Sequence, residues 1–180
     1  MTGRGIEKNY EEGMKWLKLA AKQNDMAAQA AVARMYALGK GTEKDSSLAI
    51  EWYAKAAENG DAESQFKLAQ YYYKGDNIDQ DYTRSFEWYN RSAIQGHAKA
   101  QFKLAYLYGK GLGTERDDSK SIIWFHKAAE NGHDGAQYNL GVIYAKGRGV
   151  EQNQETAIKW YKMAAEQGNA NAESALKKFA

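Results

Sequence analysis

The amino-acid sequence predicts an all-α protein built from tandem helix-turn-helix repeats, and three observations carry that expectation. Trp16, Trp52, Trp88, Trp124 and Trp160 lie 36 residues apart, with no insertion or deletion between them. Apolar and small residues recur at helical offsets on both sides of each tryptophan. Proline is absent, so no helix carries a proline kink and the turns must rest on Gly and Asn. A helix pair of 36 residues cannot bury both of its apolar faces alone. Stacked pairs can, and the result is an α-solenoid.

Each period holds two helices, A and B. Helix A carries Ser64, Leu68, Ala69, Tyr71 and Tyr72 in one period and Ala100, Leu104, Ala105, Leu107 and Tyr108 in the next. Their offsets mark one face of a helix expected over residues 61 to 74 in the first case. Helix B, expected over 81 to 95 in the same period, carries the tryptophan. Three residues before the tryptophan stands Gly13, Ala49, Ser85, Ser121 or Ala157, and the next residue is Leu17, Tyr53, Tyr89, Phe125 or Tyr161. Small pairs such as Ala56 with Ala57, or Ala128 with Ala129, follow on the same face. This mixture lets helices approach closely while the indole fills the gap, so the tryptophans are expected in the core, with Trp to Ala costing about 3 to 5 kcal/mol.

The punctuation follows the same ruler. Asn9, Asp45, Asp81, Asp117 and Asn153 precede helix B and accept hydrogen bonds from the free amides of a first helical turn. Asn24, Gly60, Gly96, Gly132 and Gly168 follow helix B, where a left-handed residue closes a helix. The A-to-B turn uses Gly39 and Gly41, Gly111 and Gly113, or Gly147 and Gly149, with Asn77 replacing the second glycine in one period. In order, the chain reads as a partial repeat with a lone helix B over 1–24, complete repeats over 25–60, 61–96, 97–132 and 133–168, and a terminal helix A over 169–180. The whole is expected to be a single repeat domain and a monomer. The opening turn Gly3-Arg4-Gly5-Ile6 has no helix before it, which suggests a cut from a longer array or a partial repeat serving as cap.

Composition narrows the function classes. A net charge of +2, with Lys and Arg scattered, gives no field that points to nucleic acid or an anionic membrane. No apolar run approaches the roughly 18 residues of a membrane span, and MTGRGIEKNY lacks the apolar stretch of a signal peptide. The chain is therefore expected to be soluble, and periplasmic or secreted if cut from a longer precursor, otherwise cytoplasmic. The absence of cysteine excludes disulfides and thiolate metal sites.

Chemical motifs dissolve into the repeat. Ser64 and Lys67, like Ser174 and Lys177, have the spacing in which a lysine activates a serine, but Ser64 aligns with Ala28, Ala100, Ala136 and Ala172 and reads as a packed core position. Asn77, Asp79 and Asp81 have calcium-loop spacing, yet Tyr82 and Trp88 stand where such a loop needs Gly and Glu. The glycines between Gly109 and Thr114 lack the lysine and serine or threonine ending of a phosphate loop. His97 and His133 share one register at the start of helix A and read as surface or capping residues, and with His126 they form no ligand pattern. No catalytic residue, cofactor or metal is expected.

The strings Ala136-Gln137-Tyr138-Asn139-Leu140-Gly141, Tyr144, Gly147-Arg148-Gly149-Val150, Ala157 to Trp160-Tyr161 and Ala164-Ala165-Glu166-Gln167-Gly168 resemble the SEL-one-like repeat (SLR) family, relatives of the tetratricopeptide repeat. The resemblance runs in phase over nearly the whole chain. It implies a right-handed superhelix with A helices on the concave side, and adaptor roles in bacterial envelopes, host interaction or membrane-complex assembly. A cysteine-rich bacterial branch is linked to β-lactam binding, and this chain departs from it. Carrying the family's groove register onto helix A gives Ala30, Arg34 and Leu38, then Glu63, Phe66, Gln70, Tyr73 and Lys74. The next periods give Lys99, Phe102, Tyr106 and Lys110, then Tyr138, Val142 and Lys146, with Lys178 from the last helix. An aromatic row at Phe66, Phe102 and Tyr138 beside cations at Lys74, Lys110 and Lys146 suits a protein or extended peptide with acidic groups. An envelope glycan, stacked on the aromatics, is the alternative, and a β-lactam-linked hydrolase using Ser64 is the third reading.

Overall fold

The computed structural model of the protein describes residues 9–179. The opening Gly3-Arg4-Gly5-Ile6 turn lies outside the described residues. Among those residues the chain forms ten α-helices and no strand. It divides into two compact units, Met1–Gln80 and Asp81–Ala180. The first holds α1 (Tyr10–Lys22), α2 (Met26–Leu38), α3 (Ser46–Glu58) and α4 (Ala62–Lys74). The second holds α5 (Tyr82–Ile94), α6 (Ala98–Lys110), α7 (Asp118–Glu130), α8 (Asp134–Lys146), α9 (Gln154–Glu166) and the shorter α10 (Ala170–Leu176). Odd-numbered helices are the B helices of the sequence, and even-numbered ones are the A helices.

Capping sets these boundaries. The side chains of Asn9, Asp45, Asp81, Asp117 and Asn153 accept from the third residue of each B helix at 2.8 to 3.0 Å. The A helices are capped in the same way by Asp25, Asp61, His97, His133 and Asn169, so both aligned histidines are caps. Asn24 and Asn77 adopt φ of 64° and 59°, the left-handed conformation for which Asn is the usual substitute for Gly.

The packing follows the small residues. In the first unit Val32, Ala33, Ala49 and Ala56 are buried, with Tyr53 laid over them. In the second, Ala105, Phe125, Ala128 and Leu140 form one cluster, and Ala157, Tyr161, Ala164 and Ala172 another. The tryptophans are more peripheral than expected. Trp16 is 65 % exposed, and the other four are half-buried. Three of them are covered from outside by a cation one turn on: Lys55 lies 4.2 Å from the Trp52 ring, Arg91 4.5 Å from Trp88 and Lys127 4.1 Å from Trp124. The residue after the tryptophan occupies the core instead, as Tyr53, Tyr89, Phe125 and Tyr161 do.

A second buried series runs through polar residues. Gln29, Gln65, Gln101 and Gln137 are almost wholly buried and stand at one repeat position. Each donates its amide to the carbonyl oxygen eight residues earlier, at Ala21, Ala57, Ala93 or Ala129. The side-chain oxygens of Gln29, Gln101 and Gln137 accept from Asn59, Asn131 and Gln167, each at 2.8 Å. A buried amide satisfied at both ends ties the last turn of one B helix to the cap residue of the next.

Candidate cleft in the second unit

In each unit a cleft opens at one place in the repeat: between an A helix, its B helix and the A helix that follows. The first-unit cleft has a volume of about 390 Å³ and is walled by Arg34, Glu63, Gln70 and Lys74, all expected there. Its floor is Tyr53 and Tyr71, with ring centroids 6.3 Å apart. Burial pushes the Tyr53 phenol up to about 12, with the neighbouring Tyr71 adding to the effect, and raises Tyr71 as well. Lys67 and Asp76 also line the cleft, and Lys67 pairs with Glu63 at 3.5 Å. Three cations thus face two carboxylates.

The second-unit cleft has a volume of about 690 Å³. Of the expected residues, Tyr106, Lys110 and Val142 line it, with Tyr106 38 % exposed. Its floor is hydrocarbon: Ile122, Phe125 and Ile143. Two further cations enter from turns, Arg116 before α7 and Arg148 after α8. The Arg116 guanidinium donates to both oxygens of Asp118, at 3.0 and 2.8 Å, which holds the carboxyl below its ordinary range and raises the guanidinium. Lys110 and Arg148 make no ion pair among the described residues. The side chain of Asn139, also in the wall, makes no hydrogen bond there.

The expected aromatic row is corrected. Phe66 is only 4 % exposed, because α4 is packed over a wide arc that also buries Ser64, Gln65, Leu68 and Ala69. It offers no surface to a ligand. Phe102 stacks on His133 at 4.4 Å and 7° and meets Phe125 edge-on, while Tyr138 lies 5.8 Å from Tyr161. Both are half-buried packing residues that line neither cleft. Tyr73, Lys99, Lys146 and Lys178 also stand outside both clefts. Arg116 and Arg148 were missed because they lie in turns, and Asn139 because it falls between the groove and core registers of helix A. Their only signal was that Arg148 takes the place of Asp76 two periods earlier.

The remaining motifs resolve locally. Ser64 is 0 % exposed and its hydroxyl has no hydrogen-bond partner, while Lys67 is engaged by Glu63. No substrate reaches that hydroxyl. Asp81 is a helix cap rather than a calcium ligand. His126 accepts or donates at 3.2 Å with the Tyr144 hydroxyl, and burial lowers its pKa.

Among solved structures, the chain is similar to a protective antigen of uropathogenic Escherichia coli strains that displays an SLR fold, with 35 % identity and a TM-score of 0.89. That match covers 94 % of this chain but 36 % of the antigen, so the chain spans about a third of its length. It is also similar to a Sel1 repeat protein from Oxalobacter formigenes, with 37 % identity over 91 % of this chain and 67 % of that one, at a TM-score of 0.84. The cysteine-rich protein B of Helicobacter pylori shares the fold at 17 % identity and a TM-score of 0.56. No curated protein matches the chain. The Sel1 repeat profile matches residues 1–25, 27–61, 62–97, 98–133 and 135–169, in phase with the helix pairs and their caps, and the chain belongs to the Sel1 repeat family.

Proposed function

We propose that this protein is a non-catalytic scaffold that holds an extended, acidic segment of another protein against its A helices. Sel1 repeat solenoids are commonly protein-interaction scaffolds, and a helical repeat presents many similar surfaces rather than one unique pocket. The observation that carries the reading is the second-unit cleft, where an apolar floor lies beside two cations, Lys110, 5.9 Å from the Tyr106 ring, and Arg148, neither of which makes an ion pair among the described residues. Apolar anchors supply contact area there, and the cations supply orientation and a faster encounter.

Lys74, Lys110 and Lys146 close A helices; Lys110 lies in the second-unit cleft and Lys74 in the first, whereas Lys146 stands outside both. Reversing all three to Glu is expected to abolish binding to a library of extended acidic peptides, read by fluorescence anisotropy. Unchanged binding removes the reading. An envelope glycan is the second candidate, favoured by the exposed ring of Tyr106 in the cleft wall. Thermal protection by soluble glycans but not by peptides would select it.

A further inference from the structure

We propose that the second-unit cleft captures the free C-terminus of a partner polypeptide whose last residue is aliphatic; this rests on the scaffold reading and names the chemistry of its ligand. The cleft is polarised. Its hydrocarbon lining, Ile122, Phe125, Val142 and Ile143, comes from within α7 and α8. Its cations come from the turn edge: Lys110 is the last residue of α6, Arg116 precedes α7 and Arg148 follows α8. The matching ligand has a hydrocarbon body and, immediately beside it, an anionic end.

An internal aliphatic residue next to an acidic one fits this poorly, because successive side chains of an extended segment leave on opposite sides. At a C-terminus the side chain and the carboxylate diverge from one Cα, so both reach adjacent surfaces of one cleft. Capture of a terminal carboxylate is a recurrent mode of peptide recognition. Asp118 already occupies the Arg116 guanidinium, which leaves Lys110 and Arg148 for the ligand. The free amide of Asn139 offers one acceptor and two donors to the last peptide groups. The volume of about 690 Å³ suits a few residues, being within the roughly 300 to 1,000 Å³ of small-ligand sites.

The test uses the full chain and a peptide library tethered through its N-termini, each sequence presented once with a free carboxylate and once amidated. Bound sequences are expected to end in Leu, Ile, Val or Met, and amidation to weaken them about tenfold or more, as loss of a charge-assisted hydrogen bond does. Lys110→Gln combined with Arg148→Gln, two exposed positions, is expected to produce the same loss with unchanged helical circular dichroism. Binders that keep their affinity when amidated, or that ignore the double variant, overturn the terminal-carboxylate assignment and leave the scaffold reading standing. A library with no binder in either form overturns both.

Discussion

The two clefts occupy the same repeat position two periods apart, and they differ in almost every side chain. Arg34, Leu38, Tyr53, Gln70 and Tyr71 in the first correspond to Tyr106, Lys110, Phe125, Val142 and Ile143 in the second. A phenolic floor with an internal Glu63–Lys67 pair becomes a hydrocarbon floor, and Asp76 at the turn becomes Arg148. Because the backbone frame repeats, ligand chemistry is written by substitution at fixed positions rather than by new loops. The frame is generic and the lining is individual.

The frame should fail alike in both units. Gln29→Leu in the first and Gln137→Leu in the second each remove the hydrogen bonds to the Ala21 or Ala129 carbonyl and from the Asn59 or Gln167 amide. Those carbonyls keep a backbone donor from Asn24 or Gly132, and the two amides are exposed. Two lost hydrogen bonds that leave no buried group stranded are expected to cost about 1 to 3 kcal/mol in each variant, measured by urea denaturation. A large loss in one unit and none in the other would break the idea of a common frame. The lining should instead be transferable. Phe125→Tyr with Val142→Gln gives the second cleft the residues of the first, and it is expected to weaken an aliphatic-ended peptide about tenfold by removing apolar area at about 25 cal/mol per Å². Undiminished affinity would mean that these walls do not contact ligand.

Two buried serines sharpen the comparison at a smaller scale. Ser121 donates to the Ala105 carbonyl at 2.7 Å, whereas the Ser64 hydroxyl has no partner. Ser121→Ala is expected to cost about 1 kcal/mol, and Ser64→Ala to stabilise by about 1 kcal/mol, since Ala fills the aligned position in the other repeats. Thermal melts of the two variants should move in opposite directions. A destabilised Ser64→Ala would sink the reading of that hydroxyl as surplus.

The frame was legible in the sequence because caps and turns are local. One side chain and three backbone amides decide a cap, so the register of Asn9, Asp45, Asp81, Asp117 and Asn153 fixed the B-helix starts to the residue. Burial was less legible because it depends on neighbouring helices. The tryptophan period was plain, yet an indole stacked under Lys55, Arg91 or Lys127 repeats as faithfully as one in a core. Phe66 failed for the same reason, since a helix packed on two sides buries more than one stripe. The glutamine series stands at four successive periods, but a repeated polar side chain carries no local sign of burial, which only the neighbouring helices create. Of the candidate site, Tyr106, Lys110 and Val142 came with the groove register that the family resemblance implies for helix A, whereas Arg116 and Arg148 sit in turns outside that register.

The smallest expected effect separates the units by pH. The first unit caps its A helices with the carboxylates of Asp25 and Asp61, and the second uses His97 and His133 at the same register. An imidazole accepts the Ala136 amide only while neutral, and a cation at a helix N-terminus opposes the helix dipole. Burial between Phe102 and the helix start lowers the His133 pKa; Lys99 and Lys103 act in the same direction, and Asp134 opposes them. The folded value therefore lies below that of the unfolded chain. The stabilisation is fully present above the unfolded value of about 6.5 and is lost as pH falls through the folded one. His126, lowered by burial beside Tyr144, contributes in the same sense. We propose that the repeats unfold as one domain, so the loss, about 1 kcal/mol for the cap, appears as a downward shift of a single melting transition between neutral and mildly acidic pH. His133→Asn, which places at this position the cap residue found at Asn169, is expected to remove part of that shift. A melting temperature that falls equally in both proteins would assign the pH dependence elsewhere, and two separate transitions would show that the units unfold independently.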